Sequence, residues 1–202
     1  MDMIDGQSVR IEDIVARLKN GETLVYPTET CYGIGCDATN QTAVDRIFQI
    51  KQRQRDKPVL VLMADEAMAM EYVEWNPMIE GLALRYWPGP LTIVAPVKFD
   101  YTLARGVVGS RDMIAFRVTD HPLAHALAEG LGRPIVSTSA NISAEESPYD
   151  IASICAMFDG QEYRPDSMID AGTLPHHSPS TVVRVADGRL EILRQGEIVV
   201  RH

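Results

Sequence analysis

Three short segments carry residue types that can do chemistry together. Lys51, Arg53, Arg55 and Lys57 place four cations at alternate positions in seven residues. In an extended segment alternate side chains leave the backbone on one side, so this run could hold several phosphate oxygens, with arginine adding a bidentate fork. The plainer alternative is a solvated helix end, where cations suit the macrodipole. Ser137-Thr138-Ser139-Ala140-Asn141-Ile142-Ser143 follows directly on the apolar Pro134-Ile135-Val136. Hydroxyls and an amide beyond the carboxyl end of a strand sit where open α/β sheets bind ligands, and carboxylate or phosphate suits them. The same residues are also ordinary turn formers. Pro27 to Cys36 adds Thr28, Glu29, Thr30, Gly33 and Gly35 after another strand end, the glycines allowing close backbone approach to a ligand.

Other candidates are single residues. Arg117 and Arg194 each close an apolar run and read as anion clamps or as surface residues. His121 and His125 stand one helical turn apart, but no HExxH pattern accompanies them and a structural role is the reading. His176 and His177 lie in a Ser/Pro-rich loop placed to act as a flap. Ser139 is not in a GxSxG elbow, and neither GxGxxG nor GxxxxGK[ST] occurs. Cys31, Cys36 and Cys155 are too few for a disulfide framework and suggest a reducing compartment; Cys31 and Cys36 are not spaced for zinc and read as packed thiols.

The elements that must position these residues follow from periodicity and caps. A helix capped by Ser8 is expected to carry Ile11, Ile14, Val15 and Leu18 on one face and to stop at Asn20-Gly21. Further helices are expected from about Thr42 to Gln52, from Asp65 to Val73, from Asn76-Pro77 to Tyr86, from His121-Pro122 to near Gly130, and over Asp150 to Phe158. Strands are expected at Thr23–Tyr26, Val59–Met63, Leu91–Val97, Met113–Val118, Pro134–Ser137, Met168–Asp170, Thr181–Val185 and Leu190–Leu193, the last two as a hairpin across Asp187-Gly188. Interleaved strands and helices imply an α/β fold, a single domain over 1–202 with a twisted sheet flanked by helices. The hairpin and the prolines near strand ends make that sheet mixed, parallel and antiparallel.

Composition sets bounds on function. A chain of 202 residues with 46% hydrophobic and 23% charged residues is an ordinary globular composition. Nineteen Lys and Arg against 28 Asp and Glu give a net charge of −9, which argues against nucleic-acid binding through the whole surface. An anion site must therefore be a local cationic patch. The apolar stretch Tyr86–Val97 carries three prolines and is too short to span a bilayer, and the first residues lack a signal pattern. The expectation is a cytoplasmic protein with no membrane partner.

Taken in order, YPTET at 26–30, Lys51-Gln52-Arg53, WPGPLT at 87–92, AFRVTDHP at 115–122 and STSAN at 137–141 resemble the YrdC/TsaC family, the L-threonylcarbamoyladenylate synthases. Lys51 and Arg53 match its KxR element, and Ser139 and Asn141 its SxN element. The resemblance runs from about Thr23 to Arg194 and favours an anion-binding role for the basic run. It implies a nucleotidyltransferase that converts L-threonine, bicarbonate and ATP to threonylcarbamoyl-AMP and pyrophosphate. A partner enzyme, the tRNA threonylcarbamoyl transferase, would then modify adenosine 37 of tRNA, with at most weak tRNA contact by this chain. By the same resemblance Thr30, Arg117, Ser137 and Ser180 hold threonine. Arg53, Lys57, Ser139, Ser147 and Arg194 hold ATP, and Lys51 and Asn141 complete the pocket. Mg²⁺ is expected to arrive with the triphosphate, with no metal site of the protein's own.

Two departures bear on pocket detail. Pro179-Ser180-Thr181-Val182 stands where the family often has EST, and Arg194-Gln195-Gly196 where it often has RPG. Serine and arginine keep their places. The extra domain of longer relatives is not expected in 202 residues, nor are the companion domains of the carbamoyl-phosphate-using module in hydrogenase-maturation proteins. The rival readings are an RNA-binding or ribosome-assembly factor of the same fold, and a paralogue that binds nucleotide without turnover.

Overall fold

A computed structural model describes residues 1–201; His202, the last residue of the expected domain, lies outside them. The chain runs β1 (Asp2–Asp5), α1 (Ile11–Lys19), β2 (Leu24–Pro27), β3 (Tyr32–Gly35), α2 (Gln41–Ile50), β4 (Val61–Met63), α3 (Glu66–Tyr72), α4 (Pro77–Tyr86) and β5 (Leu91–Pro96). It continues through β6 (Met113–Val118), α5 (Pro122–Leu131), β7 (Ile135–Val136), β8 (Thr138–Ser139), α6 (Ile151–Phe158), β9 (Ser167–Asp170), β10 (Thr181–Ala186) and β11 (Arg189–Arg194). The mixed α/β architecture is as expected, but its strands divide between two sheets. One has the order β1-β9-β2-β3-β8 and the other β11-β10-β5-β6-β4-β7.

Local chemistry sets most element boundaries. Asp65, Asn76 and Asp150 accept hydrogen bonds from backbone N–H groups of the first turns of α3, α4 and α6, satisfying donors that have no partner within the helix. Asp187 and Gly188 take φ of +53° and +69°, the pair of positive angles that a tight hairpin turn between twisted strands requires. Ser8 does not cap α1. Its hydroxyl turns back to Asp5 Oδ2 at 3.1 Å, and Arg10 occupies the cap position with no side-chain bond.

Three strands depart from the expectations, the short β8 among them, since the residues after Ser137 were expected to be a polar loop. The amino-terminal β1 pairs in parallel with β9, a partner over 160 residues away that no local pattern announces. The glycine-bearing Tyr32–Gly35 is a fully buried strand rather than a loop, with Gly33 backing onto the arginine-lined cavity. Gly35 is needed for packing, since a Cβ there would lie 1.8 Å from the Val136 carbonyl oxygen.

The two sheets meet where the chain passes from β7, at one edge of the six-stranded sheet, to β8, at one edge of the other. Ser137 lies at the crossing, its N–H donating to the Leu60 carbonyl at 2.8 Å. The larger core gathers Val25, Ile34, Ile47, Phe48, Ile93, Phe116 and Val183, and a second one lies under α1 and α5. Among the described residues no helix is long and apolar enough to cross a membrane.

Candidate functional site

Strand periodicity builds one wall of the site. Along β5, β6 and β10 one set of alternate residues (Ile93 and Ala95, Ile114 and Phe116, Val183 and Val185) enters the core. The other set faces outward and includes Thr92, Ala115, Arg117 and Val182. Those residues line a cavity of about 460 Å³ whose other walls are the β2–β3 turn (Thr28, Thr30, Cys31), Arg53, the 137–139 segment, Ser147 and the 177–180 segment with Arg194. The lining includes Arg53, Arg117 and Arg194 and no carboxylate, so the cavity is a cationic island on an acidic body. A second hollow of about 880 Å³ continues along the same sheet face and shares Pro58 and Ala115 with the first.

Arg117 is the most enclosed of the three arginines. Its side chain is 4% exposed, and Nη1 stands 3.1 Å from Glu29 Oε1, itself on a side chain only 11% exposed. Glu29 Oε2 accepts from the Thr119 hydroxyl at 2.6 Å. The contact with Arg117 is an ion pair without hydrogen-bond alignment, and Arg117 Nε and Glu29 Oε1 are both buried with no hydrogen-bond partner. The turn that presents Glu29 is set by Thr28, whose Oγ1 donates to the Cys31 carbonyl at 2.7 Å.

Lys51 follows α2 and is 1% exposed. Its Nζ donates to the Ser139 carbonyl at 2.5 Å, the Asn141 carbonyl at 2.8 Å and Asn141 Oδ1 at 3.0 Å. Burial pushes its pKa down to about 7, and three acceptors matched to three N–H bonds oppose that loss. Asn141 also accepts from the Ser139 hydroxyl at 2.6 Å and donates to the Glu145 carbonyl. Neither Lys51 nor Asn141 lines the cavity; together they hold the turn that presents Ser139 to it.

The four-cation run does not form a fence. Gln52 takes φ +50°, and the segment winds into turns around Arg53, whose Nε and Nη2 donate to the Lys57 and Pro58 carbonyls at 2.8 and 3.0 Å. Arg53 alone of the four lines the cavity. Arg55 points away to Asp45 and over the Phe48 ring, and the Lys57 side chain is exposed. A run alternates sides only while extended, and this one is not.

Arg194 stands at the rim, with Nε and Nη2 donating to the Ser180 carbonyl at 3.1 and 2.8 Å. The Ser180 hydroxyl is buried against Thr92 Oγ1 at 2.9 Å. Residues 174–179 cross beside the opening. Tyr149 stacks on His176 with ring centroids 3.8 Å apart and donates to the His177 carbonyl at 3.2 Å, while Ser178 N–H donates to Glu197 Oε2 at 2.9 Å.

Thr30, Arg53, Arg117, Ser137, Ser139, Ser147, Ser180 and Arg194 thus meet in one cavity, while Lys51, Asn141 and Lys57 stand outside its lining. Cys36 is sealed in the core, whereas Cys31 reaches the cavity wall with its thiol pKa raised by burial. His121 is half-buried at the start of α5, outside the cavity lining, with Nδ1 enclosed and without a hydrogen-bond partner. Thr138, one of the hydroxyls expected of the 137–143 segment, lines the cavity, as do Thr92 and Tyr149, which were not anticipated. Thr92 had a signal, as the hydroxyl among alternate apolar residues of a strand; Tyr149 had none.

Comparison with known proteins adds a family. The Sua5/YciO/YrdC family model, described as "Telomere recombination", matches residues 16–196. A threonylcarbamoyl-AMP synthase of Bacillus subtilis (strain 168) is 35% identical over 198 residues, 98% of this chain and 56% of the relative. One from Klebsiella pneumoniae subsp. pneumoniae is 33% identical over 192 residues, 94% of this chain and 97% of the relative. P. abyssi Sua5 complexed with L-threonine superimposes with a TM-score of 0.87 at 32% identity, over 97% of this chain and 58% of that one. E. coli YciO gives 0.82 at 26% identity, over 96% and 94%. The chain therefore spans little more than half of the Bacillus relative and of Sua5, and nearly all of the Klebsiella relative and of YciO.

Proposed function

The chain belongs to the Sua5/YciO/YrdC family, and we propose that it is a threonylcarbamoyl-AMP synthase, joining L-threonine, bicarbonate and ATP with release of pyrophosphate. The observation that carries this reading is a cavity with three guanidiniums, many hydroxyls and no carboxylate on its walls. Such a site can hold two anions side by side, and its one thiol, Cys31, is kept from the nucleophilic thiolate form by burial.

In this reading Arg117 takes the α-carboxylate of threonine, with Thr30, Ser137 and Ser180 around the rest of the amino acid. The neutral amine combines with bicarbonate, losing water, to give a carbamate. A carbamate oxygen then attacks the α-phosphorus of ATP; the new P–O bond forms as the bond to pyrophosphate breaks. Arg53 and Arg194, with Ser139 and Ser147, offset charge on the phosphates, and the hollow beyond Pro58 and Ala115 leaves room for the nucleoside. Catalysis is by positioning and by fixed cations.

Mg²⁺ fits only as part of the nucleotide. The lining offers it hydroxyls but no carboxylate, and no group of three or more His, Cys, Asp or Glu able to hold a metal exists among the described residues. The product serves a partner enzyme that transfers the threonylcarbamoyl group to adenosine 37 of tRNA. In this reading the adenylate is made where the tRNA is, in the cytoplasm.

The test is pyrophosphate release with threonine and bicarbonate omitted in turn, and mass detection of the adenylate. Release that needs both co-substrates is expected. ATP binding without any adduct would overturn the reading in favour of a non-catalytic nucleotide or RNA binder.

A further inference from the structure

Two kinds of support hold the three arginines of the cavity. Arg53 and Arg194 are braced by backbone carbonyls, which are neutral, so both keep their full positive charge toward the cavity. Arg117 is braced by a carboxylate. Glu29 does not line the cavity; it reaches the site only through Arg117. Arg117 is the cation against Glu29, its other close partner being the neutral Thr119 hydroxyl. His121 lies beside them with a pKa lowered by burial, and adds no charge at neutral pH.

We propose that Glu29 is a positioning residue that sorts the two anions of this site, cancelling the net charge of Arg117 so that its end of the cavity takes a monoanionic amino-acid carboxylate and refuses polyphosphate. The proposal rests on the synthase reading and deepens it. Coulomb attraction grows with the charge of the ligand, so a bare guanidinium gains several times more from a triphosphate than from a carboxylate. Cancelling that charge costs the polyphosphate most. The directional N–H donors of Arg117 survive the cancellation, and a planar carboxylate uses those. Without Glu29, three guanidiniums in one cavity would let phosphate occupy the threonine end.

Glu29→Gln keeps the shape and the hydrogen bond to Thr119 while removing the charge. The measurement is threonine binding by calorimetry with and without pyrophosphate, beside the adenylate assay. In the wild type pyrophosphate should compete with ATP and leave threonine affinity unchanged. In Glu29→Gln the same pyrophosphate should weaken threonine binding about tenfold or more, as expected for loss of an opposite charge within about 4–6 Å. A folded Glu29→Gln whose threonine affinity ignores pyrophosphate overturns the proposal. If that variant does not fold, Glu29→Ala, which removes the same charge and leaves a water-sized space beside Arg117, should show the same effect, and a wild type whose threonine is displaced by pyrophosphate refutes the proposal without any variant. A wild type that binds threonine but forms no adduct overturns the synthase reading instead, and the displacement experiment stays readable.

Discussion

The floor and the rim of the cavity use the same residue types in opposite ways. Arg117 on the floor and Lys51 beneath it are almost wholly enclosed; Lys51 is bound on three sides and Arg117 faces a carboxylate on a side chain only 11% exposed. At the rim Arg53 and Arg194 are fixed along one edge by carbonyls and are more open. A cation out of water is stable only with partners that stay, so a buried cation is part of the framework even where, like Arg117, it also offers donors to a ligand, whereas one at the edge serves the ligand first. Substitutions on the floor should therefore cost stability, and those on the rim should cost affinity.

The largest effect is expected from Arg117→Ala. It strands Glu29 as a buried charge, so stability should fall by about 3–5 kcal/mol and threonine-dependent turnover should vanish. The double variant Arg117→Met/Glu29→Gln should recover most of that stability in a thermal melt while remaining inactive. If it melts as low as the single variant, the ion pair is not the cause. Next comes Lys51→Met, which takes a charged donor from three enclosed acceptors and leaves the Asn141 carbonyl with none. A loss of about 3 kcal/mol, or about 6–12 °C in Tm, is expected, with turnover falling through a loosened Ser139 turn. An unchanged Tm would show that the knot does not hold the turn.

Arg53→Ala or Arg194→Ala should weaken nucleotide binding about 10–100-fold, the loss of one charge-assisted contact, with stability within about 1 kcal/mol of wild type. Equal losses of stability on rim and floor would erase the distinction. The smallest effect is expected from Lys57→Ala, whose side chain is exposed and outside the lining. A change in nucleotide KM of less than about threefold is the prediction; a loss as great as that for Arg53→Ala would return Lys57 to the site.

Much of the fold was legible because its signals are local. A cap such as Asn76 followed by Pro77, or the alternation in Met113–Val118, involves residues a few positions apart. The motif clusters were legible too, since Ser137–Asn141 and the 51–57 run are dense in polar groups. What each member does was less so. The run suggested four cations on one side; a positive φ at Gln52 leaves one in the cavity. Gly35 suggested a ligand's approach, and what approaches is the Val136 carbonyl.

The sequence by itself determined the alternation of helices and strands, the caps, the hairpin turn, the acidic net charge and the family resemblance. Each depends on near neighbours or on composition, which a one-dimensional pattern displays. Only the tertiary structure decided that the strands form two sheets, that Lys51 binds a turn ninety residues onward, and that Glu29 stands behind Arg117. The reason is physical. Burial and charge pairing depend on which distant segments meet, and the energy of a lysine or arginine is set by that company rather than by its own identity.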